Sequence, residues 1–95
     1  MSPLSPTMNP TWHYLVERRH PWRRQLWLRD RKLMASTVWL DALTNSMSID
    51  ETATSWELSI DAVQEIFEYC ESHKDLIEAE AKEERCRLAI REIYL

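Results

Sequence analysis

The chain contains no glycine, against an average usage of about 7%. That absence excludes phosphate-cradling glycine loops, nucleophile elbows and dinucleotide fingerprints, each of which needs a position without a Cβ. It also weighs against β-rich folds built on tight primed turns. Helices joined by polar linkers can do without glycine when other residues make the caps. Cysteine is nearly as scarce: Cys70 and Cys86 make no disulfide framework. No apolar N-terminal segment reads as a signal peptide, and no apolar run approaches the roughly 20 residues that span a bilayer. A reducing cytosol is the expected compartment, with no membrane contact.

What remains is one small domain's worth of sequence, 95 residues with 44% apolar side chains and a formal net charge of −4. A domain of this size buries only about 60–65% of its unfolded surface, so a partner or a second copy would stabilise it. The whole-chain charge hides a division. Residues 1–47 carry seven basic and three acidic side chains, net +4, whereas residues 48–95 carry five basic and thirteen acidic, net −8. A basic N-terminal part therefore precedes an acidic body.

Residues 1–21, rich in proline at their start, read as a flexible arm, and residues 22–95 as a single helical domain. Residues 24–36 read as a short hairpin. Leu26 and Leu28 alternate with Gln25, Trp27 and Arg29, Arg29 to Lys32 form the turn, and Leu33 to Ala35 return. A first helix is expected from Ser36 or Thr37, with Trp39, Leu40, Leu43 and Met47 on its inner face, ending where Asn45 takes a left-handed cap. Ser48-Ile49-Asp50-Glu51 is a capping box that starts a second helix to about Trp56, with Ile49, Ala53 and Trp56 inward. Ser59 caps a third helix whose stripe is Ile60, Val63, Ile66, Phe67 and Cys70. Ser72-His73-Lys74 breaks it, and a long charged helix follows from about Asp75 to Ile93.

Ser48 to Phe67 has helix-turn-helix spacing: Ala53 allows a close crossing, Leu58 plugs the turn, and Val63 and Ile66 face the core. The outward positions of its second helix are Asp61, Gln64, Glu65, Glu68 and Glu71. Those carboxylates would meet phosphate repulsion in a major groove, so the motif reads as architecture rather than as a base reader. Nucleic acid, if bound, would be held through phosphates by Arg18, Arg19, Arg23 and Arg24, beside Trp22 and Trp27. On the last helix, Leu76, Ala79, Glu83, Cys86, Ile90 and Ile93 repeat as a heptad seam. The helix is long for so small a core, so its distal part is expected to meet a partner. Cys70, His73 and Cys86 are poorly spaced for zinc. No catalytic constellation, cofactor motif or metal site is expected.

Three segments together, "LWLRDRKLMASTVW", "MSIDETATSWELS" and "AVQEIFEYCESHKDLIEAEAKEER", resemble the bacterial "domain of unknown function 433" family, especially its longer cyanobacterial-type members. The similarity covers about two thirds of the chain, residues 22–88. Where that family usually carries glycine, in the ribbon turn and before the capping-box serine, this chain has Asp30 and Ser46 or Met47. The resemblance implies a mainly α, homeodomain-like tri-helical core with a short N-terminal β-hairpin and a long C-terminal helix. It further implies the antitoxin of a type II toxin–antitoxin pair that blocks the acidic, metal-binding cleft of a PIN-like ribonuclease. The ribbon without a partner strand, the five tryptophans in a thin-cored chain and the protruding seam point to a homodimer or hetero-oligomer. Charge and reach single out Arg85, Arg87, Ile90, Arg91 and Ile93 on the last helix as partner-binding residues. A helix-turn-helix transcriptional regulator acting on operator DNA, and a non-catalytic structural adaptor, are the other two classes open at this point.

Overall fold

The computed structural model describes residues 12–94, with the side chains of residues 12–90. Two short strands, β1 (Leu15–Val16) and β2 (Trp27–Leu28), precede four helices: α1 (Ala35–Thr44), α2 (Ile49–Trp56), α3 (Ile60–Ser72) and α4 (Lys74–Tyr94). The chain is thus mainly helical with a small antiparallel β element.

The ribbon differs from the expected hairpin in one respect. Residues 33–35 do return alongside residues 26–28: Leu28 N–H donates to Leu33 O at 2.8 Å, Ala35 N–H to Leu26 O at 3.2 Å, and Trp27 bridges Met34. The regular pairing is on the other edge, where Leu15 opposes Leu28 and Val16 opposes Trp27. The middle strand is therefore buried on both faces, and Gln25, Leu26, Trp27 and Leu28 all lie in the interior, so the expected alternation of inward and outward residues does not hold. Nor are residues 12–21 a free arm. Leu15 is in the core, Trp12 packs edge-on against Tyr69 at 5.5 Å, and Tyr14 N–H donates to Glu65 Oε2 at 2.7 Å. These contacts satisfy the backbone of a segment whose own sequence has no strong periodicity. Residues 1–11 lie outside the described residues.

Helix α1 begins one residue earlier than expected, and no side chain in its own cap serves it. Its free Ser36 N–H donates instead to Gln25 Oε1 at 3.0 Å, from the ribbon, which satisfies one of the orphan donors of a helix start. Its buried face is Ala35, Val38, Trp39 and Ala42, while Leu40 and Leu43 are exposed. The expected stripe was rotated by about one residue, because Asp41 faces α2 and takes the Trp56 indole N–H at 3.1 Å. At the other end Asn45 is not left-handed; Ser46 is, at φ 53°. The Asn45 amide donates back to the Asp41 carbonyl and carboxylate.

Helix α2 has the capping box in full: Glu51 N–H donates to Ser48 Oγ at 3.1 Å and Ser48 N–H to Glu51 Oε1 at 2.9 Å. Thr52 and Ala53 form its buried face, with Thr52 Oγ1 donating to Ser48 O at 2.7 Å. The helix stops at Glu57, which adopts φ 57°, ψ 48°. Arg31 reaches over from the ribbon turn and donates to the Trp56 and Glu57 carbonyls at 2.9 and 3.2 Å. A glutamate in that region carries strain of about 1–2 kcal/mol that glycine would not. Replacing it, Glu57→Gly, should therefore raise stability by roughly 0.5–1 kcal/mol after the entropy of the unfolded glycine is set against it. Urea unfolding midpoints of the two chains measure this directly.

Helix α3 is capped by Ser59, whose Oγ accepts from Ala62 N–H at 3.1 Å. Val63, Ile66 and Cys70 are fully buried, Phe67 is half-buried, and Ile60 is exposed because it lies in the first turn, beyond the reach of α1. Chain direction changes at His73, and α4 follows at once. Among the described residues of α4, Ile77 and Glu80 are the buried ones. Leu76 is half-buried and Ala79 exposed, so the inward line is Ile77–Glu80–Ala81 and not the heptad seam. A helix of 21 residues extends about 31 Å. From Lys82 to Ile90 every residue is exposed.

Candidate functional site, the distal face of the last helix

A buried charged clamp onto α4 is set up by the loop before β2. Glu80 is 4% exposed, and its carboxylate accepts the Arg24 N–H, the Gln25 N–H at 3.1 Å and the Gln25 Nε2–H at 2.8 Å. Gln25 passes the connection on to the start of α1 through its Oε1. One buried carboxylate on α4 thereby fixes residues 24–25, and through them the helical body. Burial of a carboxylate is tolerated when its lone pairs are filled by N–H donors in this way.

Immediately before that clamp, His20 and Pro21 turn the chain toward α4. The His20 Nδ1 accepts both the Trp22 N–H at 3.3 Å and the Arg23 N–H at 3.0 Å. Its ring meets Trp22 edge-on at 5.3 Å and tilts against Trp27 at 6.2 Å. Arg23 then pairs with Glu84 at 2.9 Å and lies over the Trp22 ring at 4.1 Å. Arg87 covers the same ring at 5.0 Å while bonded to Glu83 at 2.8 Å. Guanidinium groups over an indole face are held by its quadrupole as well as by their carboxylate partners.

The result is an open groove of about 510 Å³ lined by Trp22, Arg23, Glu84, Arg87, Leu88 and Ile90. Leu88 is 47% and Ile90 54% exposed, the two large exposed hydrophobic side chains of the described part of α4. With Arg23 matched to Glu84 and Arg87 to Glu83, the groove offers apolar surface between balanced charges. That is suited to a protein partner with an apolar centre and a polar rim.

Of the partner-binding residues expected from sequence, Arg87 and Ile90 line this groove, and Arg85 is exposed on α4 outside it. The side chains of Arg91 and Ile93 lie outside the described residues. The four arginines expected to meet phosphates are not equivalent. Arg18 Nη2 donates to the carbonyls of Leu28, Arg29 and Arg31, and Arg23 is paired with Glu84. Arg19 and Arg24 are exposed. On α3, Glu65 is not outward, because it is buried and receives Tyr14 N–H; Asp61, Gln64, Glu68 and Glu71 are exposed. Sequence reasoning missed Glu80 as a clamp and Trp22, Glu84 and Leu88 as groove residues. The adjacency of Trp22 to Arg23 was visible, but nothing in the spacing said that residues 22 and 87 meet.

Among the described residues no group of three or more His, Cys, Asp and Glu side chains is placed to hold a metal ion. Among the same residues no helix is long and apolar enough to cross a membrane. Tyr69 is raised above the usual phenol range, chiefly by burial, with the Leu26 N–H bond to its oxygen opposing the shift. The Cys70 thiol is pushed up to about 12 by burial first and by the neighbouring Glu71 charge second, whereas Cys86 is exposed. A thiolate is the reactive form, so a water-soluble disulfide reagent at pH 8 should label Cys86 and leave Cys70 untouched until the chain is unfolded. Mass spectrometry of the labelled native chain checks this as one added group against two.

Comparison with protein-family models, with curated proteins and with solved structures gave no match.

Proposed function

We propose that this chain is the antitoxin of a type II toxin–antitoxin pair, which neutralises a PIN-like ribonuclease by direct binding. The observation that carries the reading is the distal half of α4. It stands clear of the body with Leu88 and Ile90 exposed, and it is flanked by Trp22, which the ribbon holds against it. Exposed aliphatic anchors beside an aromatic shelf are what a docking helix offers a partner's cleft. The resemblance to the "domain of unknown function 433" family supports the same reading, and so does the three-helix packing of α1, α2 and α3, which fits a homeodomain-like core. Such a protein acts stoichiometrically, covering the nuclease cleft and excluding RNA, with no chemistry of its own.

DNA regulation has less behind it. Two of the four arginines meant for phosphates are already bonded within the chain. The exposed face of α3 still carries Asp61, Glu68 and Glu71, which repel a polyanion. The test is recovery of the full chain at its native level from its own cells. The expected companion is a ribonuclease of roughly domain size, in fixed ratio, released when Leu88 and Ile90 are changed to aspartate. Recovery of duplex DNA instead, lost with added salt, would overturn the reading.

A further inference from the structure

We infer that His20 is a proton-operated latch on the α4 groove, so that acidification from neutral pH releases the Trp22 shelf. The inference rests on the docking reading of that groove for its consequence, but not for its structural content.

Two backbone N–H groups converge on Nδ1, which is placed to receive them through its lone pair. Protonation would aim a third N–H into the same space. The Trp22 and Arg23 amides would lose their acceptor, and three donors would face one another with nothing to receive them.

What the turn holds is the groove itself. It sets Trp22 under Arg87 and directs Arg23 to Glu84. The charged groups about the turn are Arg19, Arg23 and Arg24 on the segment and Glu80, Glu83, Glu84 and Arg87 on α4, Glu83 being bonded to Arg87. Glu80 is occupied by the amides of residues 24–25, and Glu84 by Arg23; β2 contributes only the uncharged Trp27 ring. Among the described residues no carboxylate is bonded to the His20 imidazole. The other imidazoles sit elsewhere: His73 at the α3–α4 junction, stacked on Tyr69, and His13 ahead of β1. Opening at His20 need not disturb the body, because the Glu80 clamp follows it in the chain and holds residues 24–25 independently.

The test uses the full chain and nuclear magnetic resonance between pH 7.5 and 5.5. The Trp22 indole signal is assigned by its absence in Trp22→Phe. It should shift with a single transition that coincides with the His20 ring, together with the Arg23 amide. In His20→Asn the side-chain oxygen can accept the same two amides as an Asx-turn but cannot be protonated, so both signals should stay at their neutral-pH positions throughout. His20→Ser offers a second non-titrating acceptor, and far-ultraviolet circular dichroism confirms that each variant is helical. A pH-invariant Trp22 signal in the unaltered chain, or an unchanged transition in both variants, would overturn the latch. With the ribonuclease partner, affinity should fall roughly tenfold across the same interval in the unaltered chain and not in His20→Asn, the loss of two modest hydrogen bonds being of that order. A shelf that opens with no change in affinity would support the latch and overturn the docking reading, so the two fail separately.

Discussion

A chain ending after Glu84 should fold as the parent does and fail to inhibit the ribonuclease. The body keeps its core of Leu15, Leu28, Val38, Trp39, Ile66, Tyr69 and Ile77, the Glu80 clamp, and the Arg23–Glu84 pair. What is removed is Arg87, Leu88 and Ile90, which contribute to the groove and not to the core. An apolar anchor in a partner's pocket is typically worth about 2 kcal/mol, so losing two should weaken binding by roughly 10²- to 10³-fold. Melting cooperativity separates the outcomes. A cooperative truncate without inhibition is the expected result. A cooperative truncate that inhibits fully would move the docking surface to the ribbon, and a truncate without cooperative melting would make distal α4 part of the fold.

The second large effect concerns Glu80. In Glu80→Ala, three donors lose their acceptor at once: the Arg24 and Gln25 backbone N–H groups and the Gln25 side-chain amide. Each unsatisfied buried donor costs about 1–3 kcal/mol, so the loss should be roughly 3 kcal/mol or more. For a domain of this size that corresponds to a fall in melting temperature of at least about 12 °C. Glu78→Ala, on the exposed side of the same turn of α4, should change stability by less than about 0.5 kcal/mol. Differential scanning calorimetry of the two variants checks the contrast, and near-equal melting would mean that Glu80 is hydrated rather than clamped.

Local signals placed much of this fold. Ser48 and Glu51 mark the start of α2 and Ser59 that of α3, because a cap needs only side chains within four residues of one another. The absence of glycine is legible too: left-handed positions occur at Ser46 and Glu57, so the chain takes the strain where a glycine would have removed it. The inner face of α1 was displaced, since Leu40 and Leu43 are as apolar as Val38 and Ala42, and only the packing of α2 through Asp41 and Trp56 decides between them. Residues 12–21 read as part of the arm 1–21 in the sequence because their anchors are remote. Tyr14 needs Glu65, 51 positions away, and residues 24–25 need Glu80, at least 55 away. No local pattern carries a pairing of that separation.

The candidate site divides in the same manner. That distal α4 projects was readable from its length against a small core, and Ile90 and Arg87 were named for it. That Trp22 forms the other wall was not, because the wall exists only once His20 turns the chain and Glu80 fixes the next two residues. Glu83, the charged position of the expected seam, is ion-paired with Arg87 one turn further along α4.

The proposed role is stoichiometric neutralisation of a nuclease through distal α4. Its most direct test is titration of RNA cleavage by the companion nuclease with the purified full chain, well above the dissociation constant. Cleavage should fall in a straight line to zero at a fixed whole-number ratio of the two chains, and Leu88→Asp with Ile90→Asp should abolish the fall. Undiminished cleavage at a large excess of folded chain would contradict the account.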